Sequence, residues 1–106
     1  MGIFHRNDRA HGGAGRTSVI APGTTIRGDI RSDGGIHIDG TVIGNVEAAT
    51  YIIVAGGARV EGDLHAREVY LGGEVQGDIW AVEVDMLDKG RCLGKIEAIR
   101  LNEDRG

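Results

Sequence analysis

The residues best able to do chemistry in this 106-residue chain are its histidines and its one cysteine, and their spacing does not assemble a site. His37 and His65 fall at different phases of a repeating pattern described below, so the repeat does not bring them together as metal ligands. Cys92 stands where equivalent segments carry valine or isoleucine, which predicts a small buried residue. A single thiol gives no disulfide and fits a reducing compartment. The sequence therefore predicts no metal site and no nucleophilic centre.

The acidic residues are also arranged in a way that does not suggest catalysis or ion binding. Glu83 and Asp85 share one face of a predicted strand, as residues on a solvated edge do. Gly-Asp pairs resemble calcium-binding β-roll repeats, but those need a nine-residue unit in tandem, and here one aspartate occurs about every seventeen residues. Net charge is −4, which argues against nucleic acid as a partner of the core. We therefore expect no enzyme activity and no cofactor.

A five-residue motif, apolar-x-Gly-x-apolar, recurs five times along the chain, and the fold of its repeats must set the positions of the residues discussed above. Its central glycines are Gly28, Gly44, Gly62, Gly77 and Gly94. A small residue and then a short alternating apolar pair, such as Ile36/Ile38, follow each motif, so one repeat is predicted to be three short strands. The glycines are 16, 18, 15 and 17 residues apart, too irregular for the strict six-residue unit of a left-handed β-helix. The pattern predicts an all-β fold, a right-handed parallel β-helix of about five to six rungs over residues 19–101.

Alternate strand positions are aliphatic, and the repeat assigns them to three columns that face a thin core. The columns read Ile26/Val42/Val60/Val75/Cys92, Ile30/Val46/Leu64/Ile79/Ile96 and Ile38/Val54/Leu71/Met86/Leu101. Each buried side chain contributes roughly 1.5–3 kcal/mol, so a stack of them is a cooperative unit. Because the strands of a β-helix pair along its axis, both ends expose unpaired edges that invite pairing. The predicted N-terminal contact is Ile20, Ile26 and Ile30, which begin the inward columns, and the predicted C-terminal contact is Ile96, Ile99 and Leu101, which are expected to close them.

One lateral feature and one terminal feature complete the pattern. Ile53 and Tyr70 occupy the same outward column on adjacent rungs, about 4.8 Å apart, and form a patch for lateral contacts or a membrane; ordinary cross-strand packing is the alternative. Residues 1–18 lack any apolar period, carry a net charge of +2 and are expected to form a flexible tail, and residues 102–106 are expected to form a short C-terminal tail. Gly2, Ile3 and Phe4, with arginines behind them, would insert weakly at an anionic lipid surface; a plain disordered leader is the alternative.

The repeats closely resemble those of the bactofilins, bacterial polymer-forming cytoskeletal proteins. The resemblance covers about residues 18–101, and its most specific part is the phrase Ile-Asp-Gly-Thr-Val-Ile-Gly-Asn at residues 38–45. It implies a right-handed β-helix that polymerises end to end, without nucleotide, into nonpolar filaments at the inner face of the cell membrane. It further implies a scaffold for cell-shape or cell-wall machinery, with Gly2-Ile3-Phe4 at the position of the family's membrane-targeting segment.

Two other classes of function are alternatives to a structural polymer. A β-helix enzyme of the acyltransferase or carbonic anhydrase type needs a hexapeptide register and converging histidines, which this sequence lacks. A monomeric or small-oligomer adaptor would bind partners on the lateral face around Ile53 and Tyr70 instead of assembling through its ends. Sedimentation separates the adaptor from the polymer.

Overall fold

A computed structural model describes residues 17–87 and 89–103, and these residues form a solenoid in which three short strands make one turn, or rung. The first two rungs contain β1 (Thr17–Ile20), β2 (Thr25–Arg27), β3 (Ile30–Ser32), β4 (Gly35–Ile38), β5 (Thr41–Ile43) and β6 (Val46–Ala48). The third rung contains β7 (Tyr51–Val54), β8 (Arg59–Glu61) and β9 (Leu64–His65). The remaining strands are β10 (Glu68–Leu71), β11 (Glu74–Val75), β12 (Ile79–Met86), β13 (Arg91–Cys92) and β14 (Ile96–Glu103).

The strands stack as parallel ladders on three faces of the solenoid. Face A carries β1, β4, β7, β10 and the second parts of β12 and β14. Face B carries β2, β5, β8, β11 and β13, and face C carries β3, β6, β9 and the first parts of β12 and β14. The prediction of an all-β parallel solenoid of about five turns is confirmed. Its right-handed winding stays a prediction from the rung spacing.

Two of the three predicted inward columns are confirmed by the strand register. Ile26, Val42, Val60, Val75 and Cys92 are successive partners on face B. Ile30, Val46, Leu64, Ile79 and Ile96 are successive partners on face C. The middle members of both columns are fully buried, whereas the end members are only partly covered. The thin aliphatic core therefore runs along the axis and, among the described residues, is only partly covered at each end.

The third predicted column is wrong at its last member. Leu101 pairs with Val84, and it is Glu103 that pairs with Met86. The chain advances five positions from Ile79 to Val84 around the corner between faces C and A, and the same advance from Ile96 reaches Leu101. Leu101 thus closes the neighbouring column, which contains Ile36, Ile52, Val69 and Val84.

The uneven spacing of the repeats arises at the corners. Ile38 and Val42, on either side of the corner between faces A and B, are separated by three residues, but Val54 and Val60 at the same corner are separated by five. The longer corner contains a turn in which Ala58 N donates a hydrogen bond to Ala55 O at 3.0 Å. Rungs with and without this turn alternate, which keeps the strands in register while the repeat length varies.

The strands extend slightly beyond the expected 19–101 limits. Thr17 pairs with Gly35 at one end, and β14 continues to Glu103 at the other. Polar residues at these positions carry no apolar period, so the sequence pattern did not include them. Within the described part of the chain the secondary structure is strand without helix, and no helix there has the length and hydrophobicity to cross a membrane.

Candidate functional site: the two ends of the solenoid

A column of glycines sets how closely the rungs approach one another. A Cβ atom on Gly44, Gly62, Gly77 or Gly94 would overlap the carbonyl group of the equivalent glycine in the preceding rung. Gly28, in the first rung, has nothing within 4 Å of the corresponding position. The glycine of the repeated motif is therefore required by contact between rungs, and Gly28 presents the open end of that column.

A ladder of side-chain hydrogen bonds runs beside the glycines and explains the Asp or Asn that follows the first four of them. Asp29 Oδ1 accepts from Asn45 N at 3.0 Å, and Asn45 Oδ1 accepts from Asp63 N at 3.0 Å. Asp63 Oδ1 and Asp78 Oδ1 accept in the same way from Asp78 N and Lys95 N, both at 2.9 Å. The ladder stops at Lys95, because an ammonium group can donate hydrogen bonds but not accept them. The two ends of the solenoid are thus chemically different.

The N-terminal end presents the first rung. Ile20 is buried, and Ile26 and Ile30 are partly buried, each at the start of its inward column. Tyr51 covers Gly35 with its ring, so that its hydroxyl reaches Thr17 two rungs away. The predicted N-terminal contact residues therefore lie together at one end, in the first rung. Tyr51, in the third rung, contacts that first rung through Thr17.

The C-terminal end is more exposed and more apolar. Ile96 closes its inward column and is partly buried, and Leu101, which closes another column, is 48% exposed. Ile99 is 81% exposed and lies at the corner between faces C and A, so the expectation that it closes an inward column is wrong. Leu93, which the sequence analysis did not select, is 58% exposed at the corner between faces B and C. The sequence signal that could have identified Leu93 as a contact residue is its place in the last repeat.

A shallow groove adjoins this end on the corner of faces C and A. Its lining includes His65, Trp80, Val82, Ile96 and Ile99. The rings of His65 and Trp80 are 6.1 Å apart, centre to centre, and Trp80 and Val82 are 36% and 46% exposed. The exposed apolar surface of the solenoid is therefore concentrated toward its C-terminal end.

The lateral patch has the predicted geometry. Ile53 and Tyr70 are direct partners on β7 and β10, and both are half-buried on face A. The Tyr70 hydroxyl donates to Glu68 Oε1 at 2.9 Å, and this bond, followed by desolvation and the charges of nearby carboxylates, raises the pKa of Tyr70. Any function of the patch stays a proposal.

The residues capable of chemistry remain apart. His37 lies on face A beside Asp39 at 3.6 Å, whereas His65 lies on face C. Partial burial raises the pKa of the Cys92 thiol, which makes it a poorer nucleophile. Among the described residues, no group of three or more histidine, cysteine or carboxylate side chains has a geometry that holds a metal ion. Residues 17–87 and 89–103 stack as rungs with strand edges at both ends, and within these residues no catalytic group is assembled.

Comparison with known proteins gives a family match over the whole solenoid. A family model described as bactofilin, polymer-forming cytoskeletal, matches residues 18–106. Bactofilin BacO of Myxococcus xanthus (strain DK1622) is 33% identical to this chain over 85 residues, which are 79% of this chain and 68% of that protein. No solved structure matches.

Proposed function

This chain belongs to the bactofilin family of polymer-forming cytoskeletal proteins, and from that premise we propose that it assembles end to end, without nucleotide, into nonpolar filaments. The observation that carries the proposal is the pair of open ends. Among the described residues, β1, β2 and β3 form one edge of the three ladders, and β13 and β14 form the other. Strand edges of this kind pair readily with another chain, and the partly covered aliphatic columns behind them add burial.

The nonpolar arrangement is supported by the side-chain ladder. In a head-to-tail junction that stacked face C of one molecule directly on face C of the next, residue 95 would lie one rung before Asp29 of the next molecule, and its side chain would have to accept the Asp29 N–H. Lys95 has no acceptor on its side chain, so the ladder does not continue across such a junction. Contacts between like ends avoid this mismatch and are two-fold symmetric.

The test is electron microscopy and sedimentation of the purified protein with no nucleotide added. We expect filaments, and Leu101→Lys should cut them to dimers joined at their N-terminal ends, because like charges then meet across the C-terminal contact. A polar filament would fall to monomers instead. Ile43→Lys, which adds the same charge on β5, the second of the five strands of face B, is the matched control and should leave filaments intact. A wild-type protein that sediments as a monomer at all concentrations contradicts the proposal.

We also propose that these filaments lie at the inner face of the cell membrane and scaffold cell-shape or cell-wall machinery, with no catalytic role of their own. Gly2, Ile3 and Phe4, the proposed membrane contact, lie outside the described residues. Deleting residues 2–6 should release filaments from anionic liposomes at low ionic strength without shortening them, because the deletion leaves every described strand, from Thr17 onward, in place. Full-length filaments that do not sediment with such liposomes would contradict the membrane contact.

A lateral docking role is the second candidate, and the direct pairing of Ile53 with Tyr70 on adjacent strands favours it. Ile53 and Tyr70 offer a half-buried pair on face A to which another protein would bind, including cell-wall or other cytoskeletal proteins. An adaptor of this kind would stay monomeric or a small oligomer while still binding through the patch. Sedimentation therefore separates the adaptor from the filament. Ile53→Lys should abolish partner binding if partners bind at the patch of Ile53 and Tyr70, in either the adaptor or the filament, and should leave partner binding unchanged if they bind elsewhere.

A further inference from the structure

The last segment of the chain on face C can pair with a second copy of itself in charge and in apolar contacts. We propose that it does so across the C-terminal junction. The segment is Leu93-Gly94-Lys95-Ile96-Glu97-Ala98-Ile99. In the proposed contact it lies antiparallel to its copy, about a two-fold axis that passes through Ile96. The inference rests on the proposed assembly through like ends, and adds the residues and the register of one junction.

The strand count of the three faces selects face C. Face A has six strands and faces B and C have five, so the C-terminal end is a ramp that rises from β13 through the first part of β14 to its second part. Each face lies about 1.6 Å beyond the one before it, a third of the spacing between paired strands. A two-fold axis through the middle of the ramp sets the highest face of one copy against the lowest face of the other. The middle face, which is face C, then meets itself.

The hydrogen-bonding edge is suited to this pairing. Lys95 directs its backbone toward the preceding rung, because its N–H donates to Asp78 Oδ1 and its carbonyl accepts from Ile79 N, both at 2.9 Å. Backbone groups of successive strand residues point in opposite directions, so Ile96 directs its N–H and C=O toward the open end. Two copies of Ile96 on a two-fold axis would exchange two hydrogen bonds, as opposed residues of an antiparallel ladder do.

Side-chain chemistry fixes the register. With Ile96 on the axis, Lys95 faces Glu97 of the second copy, and this pair of opposite charges occurs twice; all four side chains are exposed. Leu93 faces Ile99 of the second copy, also twice, which covers two aliphatic side chains that are 58% and 81% exposed in the single chain. The next register, with Glu97 on the axis, would oppose Glu97 to itself, and like charges directly opposite are destabilising.

A charge exchange tests the contact. Lys95→Glu and Glu97→Lys each turn two attractive pairs into two repulsive ones, so each should weaken the C-terminal junction by about tenfold or more at low ionic strength. The double variant Lys95→Glu/Glu97→Lys restores opposite charges and should restore filament length. Glu61→Lys makes the same charge change as Glu97→Lys on β8, the middle strand of face B, away from both ends; it is a control for charge alone and should not shorten filaments. Single variants with wild-type filaments, or a double variant that is not rescued, would overturn the proposal.

Disulfide trapping tests the register directly. In a Cys92→Ser background, Lys95→Cys/Glu97→Cys should form covalent dimers in high yield on oxidation, whereas Glu97→Cys alone should not. Efficient dimers of Glu97→Cys alone would place Glu97 on the axis and overturn the register. If the wild-type protein forms filaments, the charge variants form filaments of the same length and the cysteine variants form no covalent dimers, this inference is overturned but end-to-end assembly is not. If the wild-type protein forms no filaments, the proposed function itself is overturned.

Discussion

Replacing Gly77 with alanine should destabilise the solenoid strongly, because the space between rungs has no room for a methyl group. The added Cβ would overlap the Gly62 carbonyl oxygen and lie 2.6 Å from its carbon, about 1 Å closer than two carbon atoms in ordinary contact. Both atoms belong to backbone, so the rungs must separate. Gly77 does not have a left-handed φ angle, so the whole penalty is steric.

The magnitude follows from the hydrogen bonds beside the clash. Gln76 N donates to Val60 O at 2.7 Å and Asp78 N donates to Asp63 Oδ1 at 2.9 Å, and opening the rungs by about 1 Å breaks both. A buried donor left unpaired costs about 1–3 kcal/mol, so the two bonds together give a loss of about 2–6 kcal/mol. For a domain of this size the melting temperature falls about 4–8 °C per kcal/mol, which predicts a decrease of at least about 8 °C.

Thermal unfolding followed by circular dichroism measures this effect, and Gly56→Ala is the matched control. Its added Cβ would lie 3.8 Å from the Gly72 oxygen, an ordinary contact, in a turn without a left-handed φ angle. We expect the control to change stability by less than about 1 kcal/mol, in the stabilising direction, since alanine restricts the unfolded chain. If Gly77→Ala melts within about 3 °C of the wild type, the account of the glycine column is refuted.

Further predictions concern the core, the ladder and the lateral patch. Val60→Asp places a carboxylate at a fully buried position and should cost several kcal/mol; a cooperative melt within a few degrees of the wild type would contradict the rung register. Asp63→Ala leaves the Asp78 N–H without its acceptor and should lower the free energy of unfolding by about 1–2 kcal/mol in denaturant titrations, whereas Asp63→Asn, which keeps an acceptor, should lose less than half of that. The folded state raises the pKa of Tyr70, so its protonated phenol contributes stability below the ordinary tyrosine pKa of about 10 and loses it as pH rises through the folded value. The melting temperature of the wild type should therefore fall more steeply above pH 10 than that of Tyr70→Phe, and parallel curves would exclude this role.

Much of the fold was predictable because each repeat is a short stretch of sequence, and the residue types within it indicate which strand positions pair between rungs. Alternation along each strand assigned the inward columns of faces B and C, and the repeated glycine marked each rung. The error at Leu101 came from following apolar residues at Ile99 and Leu101 instead of counting the five-residue advance from Ile79 to Val84. That count was available in the sequence, since the same corner occurs one rung earlier.

The candidate ends were predictable only in part, because they depend on which segments become neighbours. The sequence named Ile20, Ile26, Ile30, Ile96, Ile99 and Leu101, and the family resemblance supplied the idea of assembly. Exposure of Leu93 and the pairing potential of Lys95 and Glu97 became visible only once the last rung had a defined edge.

The sequence by itself determined the strand period, the aliphatic columns and the family, since these follow from residue type at fixed positions along the chain. Only the tertiary structure decided why the glycines are needed, how Asp63 reaches the rung that follows it, and which face ends with an extra strand. Each of these depends on contacts between residues about one rung apart. Which residues come into contact between rungs depends on the lengths of the corners. Residue type at a single position does not specify those contacts.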